Sequence, residues 1–415
     1  MIKIAIIGAG ISGMTVAHLL KDKYCVTVYE KESTPGGLIR CRRVNGSLFH
    51  MCGGHVFNSN RQDVLDCFFG IVNKDEFVKK NRNSTIIMEN GHFVPYPIEN
   101  HIYCLDENLQ RAFIEDCVKS IKKSAFSQNT YENFEDFLKH RFGETLYKIY
   151  FQPYNEKIWR KDLKKIPLSW LDGKLPAPTV EDMLFNNINR IEEKQFVHSV
   201  FWYPQNNGSQ YIADTFAKNI NIIYGTEINR IDYWDGKWII ENDFYDKVFF
   251  CGNIKDLIKI LNGIDITRFF EDIESLDYHG TTSVFCEIAP NPYTWIYQPS
   301  RKHLSHRIIC TGNFSPNNNA LERLTATVEF TDAISKVEIE KNLQLMPYNP
   351  KYIDSNYTEY AYPIQNNKTR AIIKELKAMM CQYNFFFTGR FADWEYYNMD
   401  SAIGAAMDLI NSNKI

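Results

Sequence analysis

Lys3-Ile4-Ala5-Ile6-Ile7 is an almost unbroken apolar run, the pattern of a strand buried on both faces of a parallel sheet. Gly8-Ala9-Gly10-Ile11-Ser12-Gly13 follows, and apolar residues then recur at helical spacing from Met14 to Leu20. A second β-rich run, Cys25–Tyr29, ends on Glu30. Strand, helix and strand in this order predict a βαβ unit and a doubly wound sheet. Residues 31–60, rich in Gly, Arg and His, read as loops crossing a ligand. From about 100 to 200 the period is helical, over Leu109–Ser124 and Tyr131–Tyr150, until Pro153, Pro167, Pro176 and Pro178 interrupt it. Glu192-Glu193-Lys194 reads as a solvated helix face. Beyond Gly208 a helix, Gln210–Asn219, leads into strands at Asn221–Tyr224, Ile228–Tyr233, Lys237–Glu241 and Lys247–Cys251, with a hairpin signal at Asp235-Gly236. Strands near Thr282–Ile288 and Thr325–Phe330, a helix near Lys368–Met380, a strand at Asn384–Thr388 and a helix at Ser401–Asn411 complete the chain.

Composition narrows the classes. The 415 residues are 44% apolar and 23% charged with a net charge of −3, which gives no electrostatic case for a nucleic-acid partner. No apolar run is long enough for a membrane span. Ten scattered cysteines without C-x-x-C or zinc spacing predict reduced thiols, a cytoplasmic location and no metal site. The 24 Tyr pack core edges or line a pocket for a planar or sugar ligand. No Ser/His/Asp triad, cysteine nucleophile or paired-carboxylate signature stands out.

The glycines carry the first chemistry. Gly8, Gly10 and Gly13 lie between an apolar strand and an amphipathic helix, the context that makes G-x-G-x-x-G a dinucleotide motif. Gly8 allows the turn, Gly10 lets a pyrophosphate reach the backbone, and Gly13 lets helix and strand approach, while the helix N-terminus at Ile11 and Ser12 faces the phosphates. Glu30 is placed to accept from a ribose hydroxyl, with Lys31 beside it, and an acidic residue there disfavours a 2′-phosphate. Pro35-Gly36-Gly37-Leu38 offers a second close backbone approach, which favours FAD over NAD. The expected fold is therefore α/β: a Rossmann-like FAD-binding domain assembled from residues 1–95, 205–260 and 381–415, with a mostly helical insertion at 96–204 and a mixed antiparallel-sheet substrate domain at 261–380.

With the glycine-rich start, the stretches Gly53–Phe57, Tyr154–Trp159, Ser305–Ile308, Tyr362–Ile364 and Gly389–Asp400 together resemble the UDP-galactopyranose mutase family, within the flavoprotein superfamily that also holds amine oxidases and protoporphyrinogen oxidase. Gly53-Gly54-His55-Val56-Phe57 resembles that family's G-P-H-I-F loop, and Tyr154, Lys157 and Trp159 keep the spacing of its Y-x-x-K-x-W helix. Ser305-His306-Arg307-Ile308, with Phe314 and Pro316 downstream, resembles Y-T-R-I; Tyr362-Pro363-Ile364 resembles Y-Y-P; and Gly389-Arg390 with Tyr396-Tyr397-Asn398-Met399-Asp400 resembles G-R … Y-L-D-M-D. Tyr278 lies in a weaker match. These segments run in the family's order from residue 3 to residue 400.

The resemblance implies interconversion of the pyranose and furanose forms of a nucleotide-diphosphate sugar, by attack of reduced flavin N5 on the anomeric carbon, feeding capsule or lipopolysaccharide synthesis. It implies FAD that must be reduced by NAD(P)H or another reductant, and leaves a homodimer open. It assigns Arg307 to the substrate diphosphate and His55 to the flavin ring. Tyr154, Trp159, Tyr362 and Tyr396 would bind substrate, and Gly54, Arg390, Asn398, Met399 and Asp400 would bind cofactor. The chain also departs from the family. Its R-L-P-V-R segment reads Lys174-Leu175-Pro176-Ala177-Pro178, so proline replaces a mobile arginine, and Asn58 and Asn398 replace a histidine and an aspartate. Arg160, Lys157 and Lys174 are the candidates for the missing charge, and the sugar need not be galactose. The alternative is an FAD-dependent oxidoreductase of the amine-oxidase or protoporphyrinogen-oxidase type. A non-catalytic nucleotide-binding protein is a third reading.

Overall fold

The first βαβ unit forms as its pattern predicts. Strand Lys3–Ile7 pairs in parallel with Cys25–Tyr29 on one side and with Lys247–Phe250 on the other. Phe385–Phe387 and the short strand Ile222–Ile223 extend this into a five-stranded parallel sheet. Helix Ile11–Leu20 packs on it, and the C-terminal helix Met399–Ser412 lies against that helix. The chain thus leaves the nucleotide fold twice and returns to it with its last strand and helix. The computed structural model describes residues 1–124, 131–168, 178–191, 200–320 and 323–412.

A seven-stranded sheet forms the second layer, in the order Lys351–Ile364, Asp277–Ile288, Leu324–Thr331, Arg307–Ile309, Trp295–Tyr297, Ser84–Ile87, Phe93–Pro95. All its pairs are antiparallel except Trp295–Tyr297 with Ser84–Ile87. Alternation along the strands sorts its two faces. Val284, Cys286, Ile296, Ile308, Ala326, Val328 and Phe330 form one core with Ile339 and Leu343 of helix Lys336–Leu343. Ser283, Arg307, Thr327 and Glu329, the alternate positions, belong to the opposite face. Residues 84–95, expected in the first piece of the nucleotide domain, instead form the edge of this sheet.

Two other local readings change. Cys41–Val44 and Ser47–His50, expected as loop, form a two-stranded ribbon whose turn residues Asn45 and Gly46 have φ of 51° and 85°. The expected helix over Tyr131–Tyr150 is divided. Phe134–Leu146 is interrupted at Gly143 (φ 84°), a π-helical turn follows over Tyr147–Phe151, and Gln152–Trp159 continues as a separate helix. The interruption has a packing cause: a Cβ on Gly143 would lie 2.7 Å from Cβ of Asp116 on helix Glu107–Ser124. Asp116 Oδ2 then accepts from both N–H and Oγ1 of Thr145. The Asp235-Gly236 hairpin forms as expected, with Trp234 opposite Lys237 and both turn residues at positive φ. The segments holding Lys174 and Glu192–Lys194 lie outside the described residues. Among the described residues no helix is long and apolar enough to cross a membrane, and all ten cysteines are free.

Candidate active site

The dinucleotide end is built from backbone. Gly8 N–H donates to Tyr29 O, and a Cβ on Gly13 would sit 2.0 Å from Gly8 O, so only glycine lets helix and strand meet here. A Cβ on Gly10 would have nothing within 4 Å, which leaves open backbone at the helix N-terminus beside Ile11 and Ser12. Gly36 N–H donates to Ala9 O, bringing the Gly36-Gly37 pair and Leu38 against the first loop. Glu30, buried, accepts from Ala9 N–H at 2.7 Å and Glu32 N–H at 3.0 Å. Its carboxylate therefore pins the glycine loop, in addition to the ribose role read from its position. Lys31 is exposed, 3.9 Å from Glu227. Gly389 returns to within 3.4 Å of Ser12 Oγ, measured from its would-be Cβ. This open cradle of glycine backbone fits a dinucleotide pyrophosphate.

The second end lies on the polar face of the large sheet. Arg307 and Glu329 are direct cross-strand partners. Arg307 Nε donates to Glu329 Oε2, and its NH2 donates to Tyr362 OH at 2.9 Å. Glu329 is 0% exposed. Burial would raise its carboxyl pKa, but the Arg307 charge, helped by His306, holds it near 2. His306 Nε2 stands 3.4 Å from the same oxygen. Tyr362 is stacked between His279, at 4.7 Å, and Tyr396, at 5.3 Å, and Trp159 meets His279 edge-on. The Tyr154 ring lies 6.4 Å from His306 and 5.7 Å from Tyr297, the cross-strand neighbour of Arg307.

Arg390 closes the group from the cofactor side. It donates to the carbonyls of Tyr397 and Ala361, and its guanidinium stands 5.0 Å from the Tyr396 ring centre. A Cβ on Gly54 would lie 2.6 Å from Ile309, so the loop before His55 sits directly on the sheet. Burial, with Arg390 acting in the same direction, lowers the His55 pKa to about 4, so the ring is neutral near pH 7. Its Nε2 is buried without a partner, as is Glu329 Oε1. Orphaned polar atoms between two arginines fit a polar ring or ligand brought there. Asn398 O accepts from Ala402 N–H and starts the final helix, with Met399 and Asp400 in its first turn.

The structure thus gathers His55, Tyr154, Trp159, Arg307, Tyr362, Tyr396 and Arg390. It does not bring Lys157 or Arg160, the two described candidates for the replacement charge, into the same open position. Lys157 Nζ donates to the carbonyls of Gln298 and Ser305, both at 2.8 Å. Arg160, at the left-handed end of its helix, pairs with Asp332 on the surface. Sequence reasoning missed Glu329, His279 and Tyr297 as part of this group. The alternation Thr325, Thr327, Glu329, Thr331 was the available signal for the first.

Comparison with known proteins bears on the fold as a whole. Residues 6–69 match a family model described as an NAD(P)-binding Rossmann-like domain. The dTDP-fucopyranose mutase of Escherichia coli is 24% identical over 436 aligned positions, covering 100% of both chains. A UDP-galactopyranose mutase of Mycoplasma genitalium is 23% identical, covering 96% of this chain and 92% of its own. A crystal structure of reduced UDP-galactopyranose mutase superposes with a TM-score of 0.89 at 20% identity, over 99% of this chain and 93% of that one. Over its full length the chain is similar in sequence to the two named mutases, and it shares the fold of the solved one.

Proposed function

We propose that the chain is an FAD-dependent isomerase that interconverts the pyranose and furanose forms of a nucleotide-diphosphate sugar in the cytoplasm, for glycan synthesis. The observation that carries this reading is the Arg307 guanidinium on the polar sheet face, ringed by Tyr154, Tyr362 and Tyr396 and opposed by Arg390. Two guanidinium groups against one buried carboxylate leave the centre net positive, which attracts a diphosphate and repels an ammonium substrate. That balance disfavours the amine-oxidase alternative.

When bound and reduced, by NAD(P)H or another reductant, FAD would supply the nucleophile for exchange at the anomeric carbon. It would be held by Gly8, Gly10, Gly13, Glu30, Gly37, Gly54, Arg390 and the N-terminus of the final helix. Arg307 neutralises the charge that develops on the departing diphosphate, the kind of interaction that stabilises a transition state more than a ground state. The tyrosine hydroxyls donate to phosphate oxygens, and Trp159 packs beside the nucleotide. His55 is a neutral donor or acceptor at the ring, and no side chain is required as a strong general base.

The test has an anaerobic arm for mutase turnover and an aerobic arm in which oxygen uptake is followed with the sugar nucleotides, an amine and a porphyrinogen. Purified yellow protein is reduced with dithionite and incubated with dTDP-fucopyranose and UDP-galactopyranose, and products are resolved by NMR. A furanose product formed without oxygen uptake or net oxidation supports the reading. Oxygen consumption on an amine or porphyrinogen, with no furanose, would sink it.

A further inference from the structure

Tyr297 and Arg307 stand opposite each other on adjacent strands, joined by an irregular loop over 298–306. The position of Arg307 therefore depends on how that loop is held. Most ties to its outside are exposed: Arg301 pairs with Glu156, and Lys302 lies 3.9 Å from Glu89. Exposed ion pairs of this kind contribute roughly 0–1 kcal/mol each. Two ties are less exposed: Leu304 N–H donates to Asn342 Oδ1 at 2.6 Å from within the loop, and the other joins its two ends. Lys157 Nζ donates to Gln298 O and to Ser305 O, the two ends of the loop, each at 2.8 Å. Gln298 N–H also donates to His306 O, so the ammonium sits across the mouth of the hairpin. Lys157 is one turn beyond Tyr154 and two residues before Trp159, on the same helix.

We propose that Lys157 is a positioning residue, which clamps the 298–306 loop to helix Gln152–Trp159 and so sets the spacing between Tyr154 and Arg307. The role differs from the substrate contact that its place in the helix motif implies, since two of its three donors are already committed to backbone. Glu89 and Arg301 are the charged groups facing it. Burial lowers its pKa to about 7, Glu89 opposing and Arg301 assisting. His303, also facing it, is held neutral by burial, with a pKa near 4. The bonds to the two carbonyls are made in partly buried surroundings, where leaving a carbonyl unpaired carries a cost.

The test compares Lys157→Met, Lys157→Arg and Arg301→Ala by hydrogen exchange and by calorimetric binding of UDP and dTDP. Only the binding arm rests on the nucleotide-sugar reading. The clamp predicts faster exchange confined to 298–306 in Lys157→Met and no change in Arg301→Ala. It also predicts at least about tenfold weaker nucleotide binding in Lys157→Met, the scale of a lost charged hydrogen bond. Adding Arg307→Ala to Lys157→Met should weaken binding little further, because both variants remove the same placed guanidinium. Lys157→Arg, still a cation able to donate to both carbonyls, should lie nearer wild type. If Lys157→Met does not fold, Lys157→Gln, too short to reach both carbonyls, serves with the same expectations. Unchanged exchange in the loop, exchange raised throughout the chain, or additive losses with Arg307→Ala would each overturn the clamp. If the wild-type chain binds neither nucleotide, the substrate reading fails, and the exchange arm still decides on Lys157.

Discussion

Arg307 cannot be considered apart from Glu329. One is a partly exposed guanidinium and the other a carboxylate with no solvent contact, directly paired across strands. Removing one member of a buried pair costs about 3–5 kcal/mol, because the remaining charge is uncompensated. Arg307→Ala should therefore lower both stability and activity, the latter by about 10²–10³ in kcat, as for loss of a donor to a developing anion. Arg307→Ala combined with Glu329→Gln should regain most of the melting temperature and none of the activity, with the yellow spectrum kept. Wild-type turnover in either variant would remove Arg307 from the chemistry. Arg307 was legible because its neighbours form a recognisable segment. Glu329 was not, because it lies 22 residues away and meets Arg307 only through strand register.

At the scale of elements, Gly10 and Gly13 separate two functions within one motif. Gly13→Ala would place a Cβ 2.0 Å from the Gly8 carbonyl, a clash of rigid backbone, and should lower the melting temperature of the cofactor-free chain markedly. Gly10 has an extended backbone, φ −72° and ψ 175°, and open space around it. Gly10→Ala should therefore fold with normal cofactor-free stability yet purify with little flavin, because the methyl occupies the pyrophosphate's approach. Equal effects from both substitutions, read by melting temperature and flavin content, would contradict this division. The strand–glycine–helix order was readable from apolar periodicity alone. The break at Gly143 was not, since its cause is Asp116 on a neighbouring helix. The ribbon at 41–50 did carry a local signal, Asn45-Gly46, which the density of Gly and Arg around it obscured.

Across the whole molecule, four buried histidines share one consequence. Burial is the largest cause lowering His50 to about 3 and His55, His303 and His306 each to about 4, against an ordinary value of 6.5. The unfolded chain binds protons to these rings at a higher pH than the folded chain does. Stability is therefore full above about 6.5 and is lost as pH falls through the window toward 4 and below. Glu329, held near 2 against 4.5, adds a further loss at lower pH. Urea midpoints should fall steadily from pH 6.5 downward, and His303→Gln should flatten the slope by one proton's share. A midpoint flat from about 6.5 to about 4 would show that these rings are protonated in the folded chain.

The sequence by itself determined the nucleotide fold and its return at the C-terminus, and it named most of the residues that the candidate site gathers. These depend on local periodicity, on glycines at fixed offsets and on short segments whose spacing is kept within one element. Only the tertiary structure decided which charges meet. Glu329 faces Arg307, Lys157 turns to two carbonyls, Arg160 stays at the surface, and residues 84–95 join the large sheet. Each of these follows from register and long-range packing, which bring together positions far apart in the chain and which no local pattern encodes.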